Sequence, residues 1–137
     1  MPLALDICIE SWPIRGGFAI SRGAKTEAVV VVATLTDGKT RGRGECVPYA
    51  RYGESPESVS ATLRAMAPAL AAGLTREGLQ RAMPPGAARN ALDCAFWDLD
   101  AKRSGRPVYE LAGLPAPGPL TTALTVSLGS PDAMAEA

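Results

Sequence analysis

No histidine occurs anywhere in the 137 residues. That absence removes Ser-His-Asp and Cys-His nucleophile systems, histidine-ligated zinc sites and any imidazole general base. Lysine is nearly as scarce, confined to Lys25, Lys39 and Lys102. None of these lies in an apolar context that would depress its pKa to the value a general base needs. Neither sign of charge is in excess, with Lys plus Arg and Asp plus Glu both 14, so no global field favours nucleic acid or an anionic membrane. The longest largely apolar run, residues 28–35, is far short of the roughly 20 residues that span a bilayer. The N-terminus lacks a basic start followed by an apolar stretch and does not read as a signal peptide, so a cytoplasmic address is expected. Three cysteines, Cys8, Cys46 and Cys94, are odd in number and widely spaced. They are expected to be small buried thiols in a reducing compartment, not a disulfide framework.

Apolar residues make up 47% of the chain, enough for a real core in one domain, or in one domain plus the start of another. Leu3, Leu5, Ile7 and Ile9 alternate with Ala4, Asp6, Cys8 and Glu10, the period of a half-buried strand. Ser11 to Lys25, with Trp12-Pro13, Gly16-Gly17 and Ser21-Arg22-Gly23, reads as a long loop in which Phe18 and Ile20 are isolated apolar residues. Thr26 to Thr36 carries Val29–Val32 and predicts a central strand buried on both faces. Asp37-Gly38 then predicts a hairpin, with Lys39 to Cys46 as the returning strand.

Ser55-Pro56-Glu57 is a helix start. Val59, Leu63, Met66 and Leu70 form one stripe, Pro68 should kink or shorten the helix, and Gly73 stops it. Thr75 caps a second helix to about Met83. A third, from about Ala87 to Arg103, presents Leu92, Ala95, Phe96 and Leu99 on one face, and Gly105 ends it. A short helix over Pro107 to Leu111 follows. The order of strands and then helices predicts an α+β unit. Pro115 to Pro119 reads as a linker, Leu120 to Leu128 as a further strand, and Ser130-Pro131-Asp132 as one more helix start.

Gly42-Arg43-Gly44-Glu45 lacks the spacing, Lys and Ser/Thr of a P-loop and the third glycine of a dinucleotide fingerprint, so a solvated strand face is expected for its arginines. Asp93, Asp98 and Asp100 share one helix without converging on a point, and ion pairs with Arg89, Lys102 or Arg103 are expected. Arg22, a guanidinium on a loop, is suited to grip a carboxylate in bidentate fashion, the alternative being a plain surface arginine. Tyr49, Arg51 and Tyr52 form an aromatic and basic cluster, either a binding loop or one packed on the protein's own surface.

Gly42-Arg-Gly-Glu-Cys-Val-Pro-Tyr49 with Arg51-Tyr-Gly-Glu-Ser55, and Pro84-Pro-Gly-Ala-Ala-Arg-Asn-Ala-Leu-Asp-Cys-Ala-Phe-Trp-Asp-Leu99, resemble the N-terminal capping domain of the enolase superfamily, muconate-lactonizing-enzyme subgroup. Ile20-Ser-Arg-Gly23 and Pro48 to Ser55 are most similar to the dipeptide epimerases acting on L-Ala-D/L-Glu. The resemblance implies residues 1–116 as the capping domain, a three-stranded antiparallel sheet plus helical bundle. Residues 117–137 would begin a (β/α)-barrel that is truncated here, and the cap would cover the barrel's C-terminal face.

It further implies two specificity loops, roughly Trp12 to Lys25 and Val47 to Glu54; the glycines and prolines of Gly42 to Ser55 would shape a lid, with Glu45 as scaffold. The substrate-binding residues it implies are Arg22, Thr125, Tyr52, Ile20 and Phe18. In the family one barrel lysine takes the substrate's α-proton and a second returns one, while Mg²⁺ held by three barrel acids stabilises the enolate. None of those lysines or metal ligands is expected in this chain, so residues 1–137 alone should be inactive. A dipeptide such as L-Ala-L-Glu is the implied partner, together with a barrel supplied in cis or as a second chain; a homo-oligomer is a further possibility, and neither nucleic acid nor membrane is expected. The alternatives are the cap of an N-acylamino acid racemase, an o-succinylbenzoate synthase or a cycloisomerase, or a non-catalytic binding or assembly module. Without a barrel, residues 120–137 are expected to be poorly ordered or self-associating, because a lone apolar strand has unpaired edges.

Overall fold

The computed structural model describes residues 2–21 and 23–136. Three strands, β1 (Ala4–Ile20), β2 (Gly23–Thr36) and β3 (Arg41–Cys46), form an antiparallel sheet in the order β1-β2-β3. Leu3, Leu5 and Ile7 turn toward the core while Asp6 and Cys8 are exposed on the opposite face, as the alternation requires. Val30 to Ala33 are buried on both faces of the central strand. β2 and β3 pair from Val31 with Cys46 to Thr36 with Arg41.

Ser11 to Lys25, expected as a long loop, is instead two strand arms, since β1 runs on to Ile20 and β2 begins at Gly23. Pro13 is tolerated because β1 is an edge strand, where a missing N–H need not break a ladder. Gly16 and Gly17 take φ of 73° and 72° inside β1, which lets the strand absorb a local kink in the manner of a bulge. Turn-forming residues here mark a distortion of a strand and not its end.

Asp37 holds the β2–β3 turn. One carboxylate oxygen accepts the Lys39 N–H at 2.9 Å and the Thr40 N–H at 2.8 Å, and the other accepts Arg103 Nε at 2.8 Å. The backbone bonds from Thr40 and Lys39, then the Arg103 bond, hold its carboxyl near pKa 2, below the ordinary 3.8. A depressed pKa gives stability that is present above about pH 4 and lost as pH falls through about 2. Asp37→Asn is therefore expected to lower Tm at pH 7, with the difference from the parent closing as pH falls from about 4 through about 2; thermal melts across that range check it.

α1 (Pro56–Ala65) opens on a reciprocal cap, in which Ser55 Oγ accepts Ser58 N–H at 3.2 Å and Ser58 Oγ accepts Ser55 N–H at 2.9 Å. The helix breaks at Met66, and α2 (Ala67–Ala71) restarts with Pro68 in its first turn, where a missing N–H is harmless. Thr75 caps α3 (Arg76–Ala82) through Gly78 N–H at 3.1 Å. α4 (Ala87–Ser104) ends at Gly105, whose φ of 67° suits glycine, and α5 (Val108–Leu111) follows. Val59, Leu63, Leu70, Leu79, Leu92, Ala95, Phe96 and Leu99 meet the inner sheet face in one core.

α4 lies on β3, and Gly42 and Gly44 make that contact possible. A Cβ at Gly42 would stand 2.2 Å from Ala95 O, and one at Gly44 2.1 Å from Ala91 O. These glycines, expected to shape a lid, are instead the flat part of the sheet on which a helix backbone rests. The outer edge of β3 is covered from the same helix: Arg43 N–H donates to Asp98 Oδ2 at 2.7 Å, and Asn90 Nδ2 to Glu45 O at 3.3 Å.

The residues up to Glu10 together with Val29–Ala116 form one compact unit. Ser11–Ala28 and the stretch from Pro117 onwards form the second. Within the second, Leu120 to Leu128 was expected as a strand, and the described residues show none there. Its ties to β1 are Leu128 N–H to Ala19 O at 2.8 Å and Ala19 N–H to Ser127 Oγ at 2.9 Å. Alternating apolar residues make a strand only when a neighbour completes a ladder, and Leu120 and Leu124 remain 85% and 80% exposed. α6 (Pro131–Ala135) starts where expected, with Ser130 Oγ accepting Ala133 N–H at 3.3 Å.

Candidate functional site

The chain leaves β3 at Cys46 and turns through Val47 to Glu54 before α1 begins. Inside this loop Ala50–Tyr52 make one 3-10 turn, closed by Gly53 N–H on Ala50 O at 3.0 Å with Gly53 at φ 74°. The turn brings Tyr49 and Tyr52 together, ring centroids 5.7 Å apart and planes tilted by 50°. Tyr52 is 75% exposed, so the pair offers an aromatic surface to solvent. Arg51, the third member of the predicted cluster, is exposed beside them. A groove of about 530 Å³ opens here, lined by both tyrosines, Cys46, Val47 and Glu54 and by the Pro85–Ala87 turn.

Glu54 ties the loop down. Oε2 accepts Tyr49 N–H at 3.2 Å and Oε1 accepts Ala87 N–H at 2.7 Å, in the first turn of α4. Gly86 has no side chain with which to cap that helix, so a carboxylate from a distant loop meets its positive end. Sequence reasoning treated Glu54 only as a loop residue. Its partner Ala87 is 33 positions away, so no local spacing pointed to it.

Cys46 forms part of the groove wall, and burial, then the neighbouring Glu54 charge, push its thiol up to about 11. It stays protonated at neutral pH and is not a nucleophile there. Cys8 and Cys94, expected buried, are exposed. Cys8 falls on the outer side of the strand alternation, and Cys94 on the side of α4 away from its Leu92–Leu99 stripe. Glu45 is exposed and sits 3.8 Å from Arg43, which also pairs with Glu10 at 2.8 Å, the solvated strand face expected of the Arg-Gly tract. Lys102 pairs with Asp98 at 2.6 Å and Asp100 with Arg103 at 3.8 Å. Asp93 accepts from Gln80 at 2.9 Å, and Arg89 donates to Met83 O at 3.3 Å.

In the second unit, Phe18 and Ile20 lie two apart near the end of β1 and so share a strand face, Phe18 half-buried and Ile20 exposed. Thr125 is exposed in the stretch leading to Ser127, the residue bonded to Ala19. Arg22 lies outside the described residues. Among the described residues no three His, Cys, Asp or Glu side chains gather as a metal site. Nor is any helix among them long and apolar enough to cross a membrane.

The pattern of the mandelate racemase/muconate lactonizing enzyme N-terminal domain matches residues 4–113. The L-Ala-D/L-Glu epimerase of Escherichia coli (strain K12) is 51% identical over 126 residues, 92% of this chain and 39% of that protein. An enolase family member of Agrobacterium tumefaciens with homology to dipeptide epimerases, crystallised with sodium and L-Ala-L-Glu, superimposes with a TM-score of 0.89 at 54% identity, covering 98% of this chain and 41% of that one. A dipeptide epimerase of Cytophaga hutchinsonii, complexed with Mg and D-Ala-L-Val, gives a TM-score of 0.81 at 26% identity over 99% of this chain and 40% of that one. The chain thus spans well under half the length of these relatives. With the sheet-and-helix cap of that family and its pattern over residues 4–113, the chain belongs to the mandelate racemase/muconate lactonizing enzyme family of the enolase superfamily, through its N-terminal domain.

Proposed function

We propose that this chain supplies the substrate-recognising cap of a Mg²⁺-dependent dipeptide epimerase acting on L-Ala-L-Glu or a close relative, by proton transfer at the substrate's α-carbon. The observation that carries the reading is the 51% identity to an L-Ala-D/L-Glu epimerase across nearly the whole chain. Residues 1–116 would be the cap and residues 117–137 the approach to a barrel, in a cytoplasmic protein.

The chain's own part is binding. Arg22 grips a substrate carboxylate with its planar fork, Phe18 and Ile20 supply apolar contact from the β1 arm, Tyr52 an aromatic wall, and Thr125 a hydroxyl. Histidine is absent and Lys102 is engaged by Asp98, so neither is assigned the part of a general base. In this reading the chain contributes recognition and orientation, and the metal and the proton chemistry belong to a barrel.

Deuterium exchange at the α-carbon of L-Ala-L-Glu in D₂O, followed by proton NMR with Mg²⁺ and with EDTA, tests this. The protein carrying this chain together with a barrel should exchange the proton only with Mg²⁺, and residues 1–137 alone should not exchange it. Exchange by residues 1–137 alone contradicts the division of labour.

A further inference from the structure

The tyrosine pair is held by one side chain from outside the loop's own backbone turn. We infer that Glu54 is a positioning residue for substrate recognition: its carboxylate pins the Val47–Gly53 loop to the first turn of α4 and thereby sets where Tyr49 and Tyr52 stand. The inference rests on the reading that this loop faces substrate.

The geometry has three parts. Tyr49 N–H and Ala87 N–H are bound by different oxygens of one carboxylate, at 3.2 and 2.7 Å, so the loop and the helix cannot separate without losing a charge-assisted bond. Ala87 belongs to the helix docked on Gly42 and Gly44, which makes the anchor point rigid. Tyr52 N–H donates to Tyr49 O at 2.9 Å, so fixing the Tyr49 backbone fixes the start of the turn that carries Tyr52. Gly86 completes the fit, since a Cβ there would stand 3.1 Å from Glu54 Oε1. Ser55, the next residue, has its own reciprocal cap with Ser58, so α1 does not depend on Glu54 for its start.

Glu54→Gln keeps the shape but has one accepting oxygen where the carboxylate has two; Ala87, which makes the shorter bond, keeps it and Tyr49 N–H loses its partner. Glu54→Ala removes both bonds. Amide hydrogen exchange and steady-state kinetics on L-Ala-L-Glu are measured on the protein carrying this chain with its barrel. The Tyr49 amide should exchange about tenfold faster or more in both variants, with Val59 and Leu63 in α1 unchanged. KM should rise about tenfold while kcat stays within a few-fold, the mark of lost positioning and not of a damaged fold.

Unchanged Tyr49 exchange in Glu54→Gln and Glu54→Ala overturns the inference. So does faster exchange with unchanged KM when Tyr52→Ala does raise KM, because the loop is then placed by something else. If neither Glu54→Gln nor Tyr52→Ala alters KM, the loop does not face substrate; that outcome overturns the functional reading and the inference built on it.

Discussion

Gly44→Ala is expected to destabilise the fold by about 3 kcal/mol or more, an effect at the upper end for an overpacked core. The added methyl would meet Ala91 O at 2.1 Å, Ala95 N at 2.5 Å and Cys94 Cβ at 2.8 Å. The two closest are helix backbone atoms and cannot swing aside as a side chain can. α4 must lift, and the same helix places Leu92, Ala95, Phe96 and Leu99 against the sheet. Lifting it therefore opens the core and stretches the Asp98 bond to Arg43 N–H. Gly118→Ala is the matched control, since nothing lies within 4 Å of its added methyl. Urea unfolding should show a large fall in midpoint for Gly44→Ala and almost none for Gly118→Ala; equal midpoints would mean that the helix does not rest on the glycines.

The second large effect concerns activity. Arg22→Met is expected to raise KM for L-Ala-L-Glu about 100-fold in the protein carrying this chain. A bidentate guanidinium–carboxylate grip amounts to two charge-assisted hydrogen bonds, and losing about 1.5 kcal/mol for each gives that factor. Arg22→Lys should recover only part of it, because an ammonium keeps the charge and loses the fork. A KM unchanged in Arg22→Met would return this residue to the plain surface arginine it was weighed against.

Much of the cap was legible because its signals are local. Ser55, Thr75 and Ser130 announce helix starts by capping chemistry that reaches three residues, and Pro68 and Gly105 mark breaks through their own backbones. The stripe Leu92, Ala95, Phe96 and Leu99 gives the buried face of α4 by period alone. The misreadings share a different cause, a dependence on distant partners. Pro13, Gly16 and Gly17 look like loop residues until the sheet shows that β1 is an edge and can carry a kink. Leu120 to Leu128 has a strand's alternation without a ladder to join among the described residues. Gly42 and Gly44 looked like a flexible lid, because only the docked helix reveals that their missing side chains are what the packing needs.

For the proposed recognition residues the same distinction holds. Tyr49 and Tyr52 stood out as neighbouring aromatics, and the structure brings their rings together. Glu54 was invisible because its meaning lies in Ala87, at the start of α4, with three helices between. Phe18 and Ile20 emerged from motif resemblance, and the continuation of β1 now gives them a common strand face.

The central claim is that the loops of this chain recognise the dipeptide while the proton chemistry belongs to a barrel. Intermolecular NOEs between L-Ala-L-Glu and the protein carrying this chain, selectively labelled at Phe and Tyr, test it most directly. The account predicts cross-peaks from the bound dipeptide to the ring protons of Phe18 and Tyr52, abolished singly by Phe18→Leu and Tyr52→Leu. A bound dipeptide with cross-peaks to neither ring contradicts it.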